Sequence, residues 1–241
     1  MPKLESVNKP GFLNPFALFK PSIKAMWLNL GTIFLVALSA IASVLIPAML
    51  IGAAVGVRNR VGETSDSPFL IALAVVIGLV ALIAAIVLFS AFVPVGLKSV
   101  RGKKVGYNEA VNLGKRYAWR LFLLGLASGA IILIGFILLI VPGLFMLRRY
   151  YLAPYFLVDR DLGVFEAMRQ SAEASIKFSG PVWGLIGVEI LLGILSIIPA
   201  VGVILGIPQL LYSFAPAKRY DELQKALGGR HKAKKIHSKT S

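Results

Sequence analysis

Long runs of apolar residues without any ionisable side chain dominate the hydrophobic pattern of this chain. They occupy residues 25–57, 67–97, 121–147 and 190–217. A helix crosses the roughly 30 Å hydrocarbon core of a bilayer with about 20 apolar residues, so each run is long enough to span a membrane. The pattern therefore predicts an all-α integral membrane protein.

Proline and glycine divide the longest runs. Pro142 and Gly143 interrupt the third run, and Pro199 interrupts the fourth. Because proline lacks an amide donor and glycine weakens a helix, we expect a turn at each of these places. The result is six transmembrane helices arranged as three helical hairpins. They lie near 26–56, 68–97, 119–141, 143–158, 179–198 and 200–217.

An internal repeat is visible when the prolines are used as markers. Glu109-Ala110 and Pro142 recur 57 positions later as Glu166-Ala167 and Pro199, and the sequence around Pro47 gives a third, more divergent copy with its own expected turn. Each unit would hold a surface helix, a span, a proline turn and a return span. This pattern predicts a pseudo-threefold repeat, with chance similarity between apolar sequences as the alternative.

Two segments that mix apolar and charged residues, 106–119 and 163–178, lead directly into predicted spans. Amphipathic helices of this kind lie in the membrane–water interface. The three tryptophans, Trp27, Trp119 and Trp183, stand near the start of a span, where amphipathic rings are enriched. We therefore expect interfacial helices on the cytoplasmic side, with these three residues as interfacial anchors.

Composition and charge agree with a membrane protein and give its orientation. The chain is 57% hydrophobic and 15% charged, with a mean hydropathy of +0.80 and a net charge of +15. The basic residues collect before the first span, in 98–120, in 159–177 and after the last span. Because cytoplasmic loops collect Lys and Arg, the pattern predicts a cell-membrane protein with both termini in the cytoplasm.

The chain accordingly divides into three parts. Residues 1–24 form a cytoplasmic segment with an interfacial helix, residues 25–217 form the transmembrane domain, and residues 218–241 form a basic, partly disordered cytoplasmic tail. Each Lys or Arg near an anionic leaflet contributes about 1 kcal/mol of attraction, so the expected partners are the bilayer and anionic lipid headgroups. Binding of RNA or the ribosome by the tail is the alternative, although nucleic acid is not the expected partner.

Three charged residues lie inside predicted spans: Arg148, Arg149 and Glu189. Glu189 is ten residues before Pro199, about 15 Å along a helix, which places it near the bilayer midplane. Charges there usually face a bundle interior and pair. One hypothesis is that Glu189 pairs with an arginine and lines a polar cavity for an anionic headgroup, a solute or a proton. The other is that the arginines reach the headgroups and Glu189 is a hydrogen-bonded link between helices.

Signs of enzyme chemistry are absent from the sequence. The chain has no cysteine, its two histidines, His231 and His237, lie in the tail, and nucleotide- and zinc-binding motifs are missing. We therefore expect no catalytic residue, no metal site and no cofactor.

The segment from Gly106 to Tyr220 resembles the integral-membrane domain attached to some bacterial glycerophosphoryl diester phosphodiesterases, and related free-standing six-helix membrane proteins. The matching features are Pro142-Gly143, Arg148 in the next span, and Glu166-Ala167-x-Arg169-x-Ser171 on the following surface helix. The resemblance implies a membrane fold. It implies no hydrolase activity, because the phosphodiesterase barrel and its acidic metal-binding residues are missing from this chain.

Two functions remain open from the sequence. The first is a lipid- or solute-handling membrane module or transporter subunit. The second is a non-catalytic scaffold that recruits a partner, such as another membrane protein or a second copy of the chain, through its basic cytoplasmic surface. A polar cavity that reaches Glu189 would favour transport, and a filled bundle would favour the scaffold.

Overall fold

The computed structural model of the protein describes residues 11–61, 68–197 and 208–237, and within these ranges it contains helices and no strand. A single 3-10 turn, Pro15–Leu18, leads into the first α-helix. The α-helices are α1 (Phe19–Leu28), α2 (Leu30–Val61), α3 (Pro68–Ser90), α4 (Phe92–Val100), α5 (Tyr107–Leu138), α6 (Ile140–Tyr150), α7 (Ala153–Arg160), α8 (Val164–Lys177), α9 (Ser179–Leu195) and α10 (Ala215–His237), with a short helical segment at 208–212.

Several helices have the length and composition of membrane spans. Leu30–Ala53, Ile71–Val100 and Tyr107–Leu138 qualify singly, and α8 with α9 makes a fourth if this pair, bent by 102°, is counted as one span. Their apolar side chains are largely exposed, as Met49, Val80 and Ile137 are at 72%, 62% and 75%. Exposed apolar surface of this extent is expected where lipid is the solvent. The all-helical, membrane-type architecture is confirmed, whereas six spans and a threefold arrangement are not.

A tight hairpin joins α5 to α6. The chain turns at Leu139, whose backbone is extended, so Pro142 lies in the first turn of α6, where a missing amide hydrogen is tolerated. A Cβ on Gly143 would come within 2.5 Å of the Phe136 ring, and one on Gly135 within 3.0 Å of the Gly143 backbone. The predicted turn at Pro142 and Gly143 is therefore displaced by three residues, and glycine permits its close packing.

Two predicted features of the other units differ from the structure. Pro47 lies inside the continuous helix α2 and makes no turn, since a membrane helix can retain a proline when neighbouring groups satisfy the freed carbonyl. Segment 106–119 is the first part of α5 and is not a separate surface helix. In contrast, 163–178 forms the separate helix α8. Pro199 lies outside the described residues.

The fourth predicted span is broken in two. Helix α6 ends at Tyr150, and α7 begins at Ala153 with Pro154 in its first turn. Proline at 154 cannot donate to the carbonyl four residues earlier, so the ladder of the helix is interrupted at this position. At the same break, the carbonyl of the preceding residue, Arg149, accepts a hydrogen bond of 2.7 Å from the Ser171 hydroxyl on α8.

Of the sixth predicted span, 200–217, residues 200–207 lie outside the described residues. Helical residues 208–212 are followed by a turn, and α10 then continues from Ala215 to His237. The segment predicted to be a partly disordered tail, 218–241, is thus helical as far as His237, through Gly228 and Gly229. The buried side chains of Tyr220 and Leu223 hold the first part of α10 against the core.

Several polar segments of the chain lie together in a region that we call the charged end. It comprises residues 13–29, 98–105, 159–161 and 219–225. Asn29 donates to the Ser99 hydroxyl over 2.7 Å, Arg101 bonds Asp159, and Arg219 donates to the Leu13 carbonyl over 2.9 Å. Segments that are far apart in sequence therefore return to one place.

Three helix starts share one register. Asn14, Gly106 and Gly163 each precede a helix with an extended backbone. The fourth, eighth, eleventh and twelfth residues after each are buried. These residues are Leu18, Ser22, Ala25 and Met26; Ala110, Gly114, Tyr117 and Ala118; and Ala167, Ser171, Ala174 and Ser175.

Candidate functional site

Glu189 is the only acidic residue in the described parts of the predicted spans, and it forms a hydrogen bond with a tyrosine. Its carboxylate accepts a hydrogen bond from the Tyr151 hydroxyl. Tyr151 lies at the break between α6 and α7, and Glu189 lies on α9, so the bond links two helices across the core. A carboxylate with such a partner retains one of the hydrogen bonds that it had in water.

The arginines of the predicted site do not contact Glu189. Among the described residues, no arginine lies within 4.0 Å of its carboxylate, and neither Arg148 nor Arg149 has an acidic partner. The hypothesis of a paired site at Arg148, Arg149 and Glu189 is therefore not supported by this geometry. Tyr151 was missed because a tyrosine hydroxyl carries no charge signal.

Arg148 has an unusual environment for a cation. Its side chain is buried, with 8% exposure, and its guanidinium carbon lies 5.3 Å from the Phe145 ring centre and 5.6 Å from that of Trp183. The rings themselves meet edge to face at 5.9 Å. Its buried Nε has no hydrogen-bond partner among the described residues. Cation–π contacts with two rings offset part of the cost of burying this charge.

The three tryptophans occupy two different environments. Trp27 and Trp119 are 66% and 67% exposed, as expected of interfacial anchors. They also share one position in the common register, thirteen residues after Asn14 and Gly106. Trp183 is only partly exposed and packs against Phe145 and Arg148. The interfacial role expected of Trp183 stays a prediction, since these contacts do not place the residue relative to a membrane.

The cavities described by the structure lie away from Glu189. One of about 450 Å³ lies between α7, α8 and α10 and is lined by both signs of charge, including Arg160, Arg169 and Glu173. A second, of about 410 Å³, opens beside Trp27 and Lys104, where α1 meets α2. Neither reaches the Tyr151–Glu189 pair. Within the described ranges, no cluster of three metal-binding side chains is present either.

Asp159 organises the charged end. It accepts hydrogen bonds from Arg101 and, over 3.0 Å, from the Tyr220 hydroxyl of α10. Burial alone would raise the pKa of Asp159, but the bonds from Arg101 and Tyr220 and the nearby positive charge lower it below its ordinary value. Asp159 is therefore an anion at neutral pH, and it links the chain after α4 to the end of α7 and to α10.

Arg219 makes a second link and is fully buried. It bonds Glu222 over 2.7 Å and donates to the Leu13 carbonyl, so the N-terminal segment is held against α10. Burial lowers the pKa of Arg219 and raises that of Glu222, although each charge opposes the shift of the other. The pair stabilises the contact between the two ends of the chain.

Comparisons with protein-family models, with curated proteins and with solved structures found no match for this chain. The resemblance to the phosphodiesterase-associated membrane domain thus stays a prediction. The function has to be argued from the geometry.

Proposed function

We propose that this protein is a non-catalytic membrane scaffold: three helical hairpins embedded in the cell membrane that carry a charged cytoplasmic end for recruiting partners. The observation that carries the proposal is the separation of the surface into two regions. Exposed apolar side chains occupy α2, α3 and the α5–α6 turn, whereas ion pairs gather at the charged end. A surface divided in this way suits a protein that is held by lipid at one end and meets water at the other.

Contacts at and beside the charged end support an even number of membrane crossings in each of three stretches of the chain: the first through α2 and α3, the second through α5 to α7, and the third after α8. Asn29 meets Ser99 after α2 and α3, and Arg116 and Arg120 meet Asp161 after α6 and α7. A chain that leaves one side of a bilayer and returns to it must cross twice. Tyr212 also donates to the Pro15 carbonyl over 3.0 Å, after α9 and the residues that follow it. Three returns correspond to six crossings in three hairpins.

The common register supports descent of these hairpins from one repeated unit. The offset between the first and second helix starts is 92 residues, and that between the second and third is 57. At these offsets, Pro47 aligns with Leu139 and Ser196, the residues that directly follow α5 and α9, and not with Pro142 and Pro199, to which the sequence repeat matched it. The first unit therefore keeps its proline where the other two end a helix, and α2 continues past it. We propose a pseudo-threefold repeat on this basis.

The basic residues give the proposed orientation. Lys and Arg side chains of the loops and of α10 gather at the charged end, which the positive-inside rule assigns to the cytoplasm. Anionic headgroups of the inner leaflet would then lie beside this end and attract it. The scaffold would recruit another membrane protein or a second copy of the chain from this surface.

Transport is the second candidate, and the contacts of Glu189 favour it less. A transporter site is expected to open to water and to leave its charged groups available to a ligand. Here the Tyr151 hydroxyl donates a hydrogen bond to the Glu189 carboxylate, and the two described cavities lie elsewhere. A hydrogen bond between Tyr151 and Glu189 is what a link between helices requires.

Accessibility of a cysteine at position 189 separates the two candidates, because the natural chain has no cysteine. A membrane-impermeant maleimide would be added to vesicles that hold Glu189→Cys, with Leu185→Cys, which is fully buried, as the unreactive control. Arg169→Cys, with a side chain 68% exposed, serves as the reactive control. The scaffold predicts labelling at 189 as low as at 185. Labelling at 189 as fast as at 169 would instead show a water-filled path and support transport.

A further inference from the structure

Among the described residues, no carboxylate pairs with the cation of Arg148, although its surroundings are apolar. One other arginine of the described ranges, Arg219, is at least nine-tenths buried, and it has a carboxylate oxygen at 2.7 Å. Arg148 has two aromatic rings and no carboxylate among the described residues, and its Nε, like that of Arg219, has no partner there. The acidic residues outside the described ranges are Glu5, Glu63 and Asp66, and none lies in 198–207, the segment that follows α9.

A buried guanidinium without an anion is costly. Placing a charged side chain in the apolar part of a membrane costs at least about 2.5 to 3.5 kcal/mol, and such groups usually pair or reach the headgroup region. Cation–π contacts contribute about 0.5 to 2 kcal/mol and supply no hydrogen-bond acceptor. Among the described residues, the buried Nε of Arg148 has no acceptor, so the guanidinium is able to take one from outside the chain.

The position of Arg148 indicates the source of this acceptor. Its neighbour Arg149 accepts the Ser171 bond from α8, and Trp183 is five residues after the bend that separates α8 from α9. An amphipathic helix followed by a sharp bend is typical of the level of the headgroups. Phe145, which covers the guanidinium, is 45% exposed, so the site borders the surface that faces lipid. The phosphates of one leaflet lie at this level.

We propose that Arg148, Phe145 and Trp183 form a binding site for a phosphate group, presented by the headgroup of an anionic phospholipid. The planar guanidinium donates two parallel hydrogen bonds to phosphate oxygens, which a lysine cannot do. The rings of Phe145 and Trp183 hold the guanidinium in one orientation and border the first part of the acyl chains. This inference rests on the membrane placement proposed above, and free phosphate would meet the same donors.

The fluorescence of Trp183 reports directly on the site. In a Trp27→Phe/Trp119→Phe background, Trp183 is the single tryptophan of the chain. The purified full chain in neutral detergent would be titrated with short-chain phosphatidic acid, with short-chain phosphatidylcholine and with inorganic phosphate. We expect a saturable change in emission with phosphatidic acid. In Arg148→Gln the affinity falls at least tenfold, and in Arg148→Lys it falls by a smaller factor.

The control and the outcomes distinguish the sources of the ligand. Arg169→Gln removes an exposed arginine that is paired with Glu166, so it should leave the affinity within twofold of the parent. A response to phosphatidic acid alone identifies a lipid site, and an equal response to inorganic phosphate identifies a site for a soluble anion. No saturable response in the parent, which does not depend on how any variant folds, overturns the proposal. So does an unchanged affinity in a folded Arg148→Gln.

Failure here and failure of the scaffold can be told apart. If position 189 is open to maleimide but phosphatidic acid still binds, the scaffold is wrong and the phosphate site stands. If 189 is closed and no phosphate ligand binds, the site is wrong and the scaffold stands.

Discussion

The guanidinium of Arg101 donates two hydrogen bonds to the carboxylate of Asp159, one from Nη1 over 2.5 Å and one from Nη2 over 2.9 Å. The two residues are 58 positions apart, and the same arginine lies 3.5 Å from Asp221 on α10. This relationship joins the end of the first hairpin, the end of the second and the C-terminal helix. The charged end is thus held by paired groups as well as by apolar contacts.

Breaking this pair should loosen α10. In Arg101→Gln, Asp159 loses its bidentate partner, and we expect the free energy of unfolding to fall by about 1 to 2 kcal/mol, since the pair is only partly exposed. Thermal unfolding in detergent and proteolysis of α10 would measure the change. Arg116→Gln removes one partner of the exposed pair with Asp161 and should cost under about 0.5 kcal/mol. Equal effects of the two variants would contradict the role of Asp159.

The same pair predicts an acid dependence of stability. The pKa of Asp159 is lower in the folded protein than its ordinary value of 3.8. The unfolded chain therefore binds this proton more readily, and the stabilisation is fully present above the unfolded pKa and is lost as pH falls through the folded pKa. We expect the melting temperature to drop below about pH 4 more steeply in the parent than in Asp159→Asn. Parallel pH profiles would refute this account.

The packing of α5 against α3 depends on a glycine. A Cβ on Gly114 would lie 2.3 Å from the Val87 carbonyl oxygen, a backbone atom that cannot rotate away. We expect Gly114→Ala to cost about 1 to 3 kcal/mol through overpacking. Gly125 lies on the same helix with nothing within 4 Å, so Gly125→Ala should be neutral or stabilise the protein by up to about 1 kcal/mol through helix propensity. Denaturant unfolding of both variants tests the difference, and a neutral Gly114→Ala would show that the helices are farther apart.

The link between Tyr151 and Glu189 should appear as coupling in a double-mutant cycle. Tyr151→Phe leaves the Glu189 carboxylate without its donor, so we expect a loss of about 1.5 to 3 kcal/mol. Once Tyr151 is replaced, Glu189→Gln should cost little more, which gives a coupling energy of about 1 kcal/mol or above. Unfolding measurements on the four proteins provide this value. Additive losses would mean that the two residues act independently.

Much of the fold followed from the sequence because hydrophobic length and basic clusters act over long stretches. The spans around α2, α3 and α5, the hairpin near Pro142 and the amphipathic helix at 163–178 rest on such extended patterns. The 57-residue offset between two units was visible in the sequence for a related reason. The residues at matching positions of these two units are buried in the same helix register.

Other features depend on contacts that no local pattern contains. Helix α2 continues through Pro47, and α10 continues through Gly228, although both residue types disfavour a helix interior. Charge alone left open whether Glu189 pairs with Arg148 or Arg149 or forms a hydrogen-bonded link between helices, and its partner in the structure is the hydroxyl of Tyr151, at the break in the fourth predicted span. Partner choice of this kind is decided by three-dimensional proximity.

Topology mapping tests whether three hairpins return to one cytoplasmic charged end. Single cysteines would be placed at exposed positions of the charged end, Lys104 and Lys225, and of the hairpin turns, Ile140 and Ile197. An impermeant maleimide would then be applied to intact cells and to inverted membrane vesicles. The account predicts labelling of 140 and 197 only in intact cells and of 104 and 225 only in inverted vesicles. Labelling of 104 and 140 from the same side would contradict it.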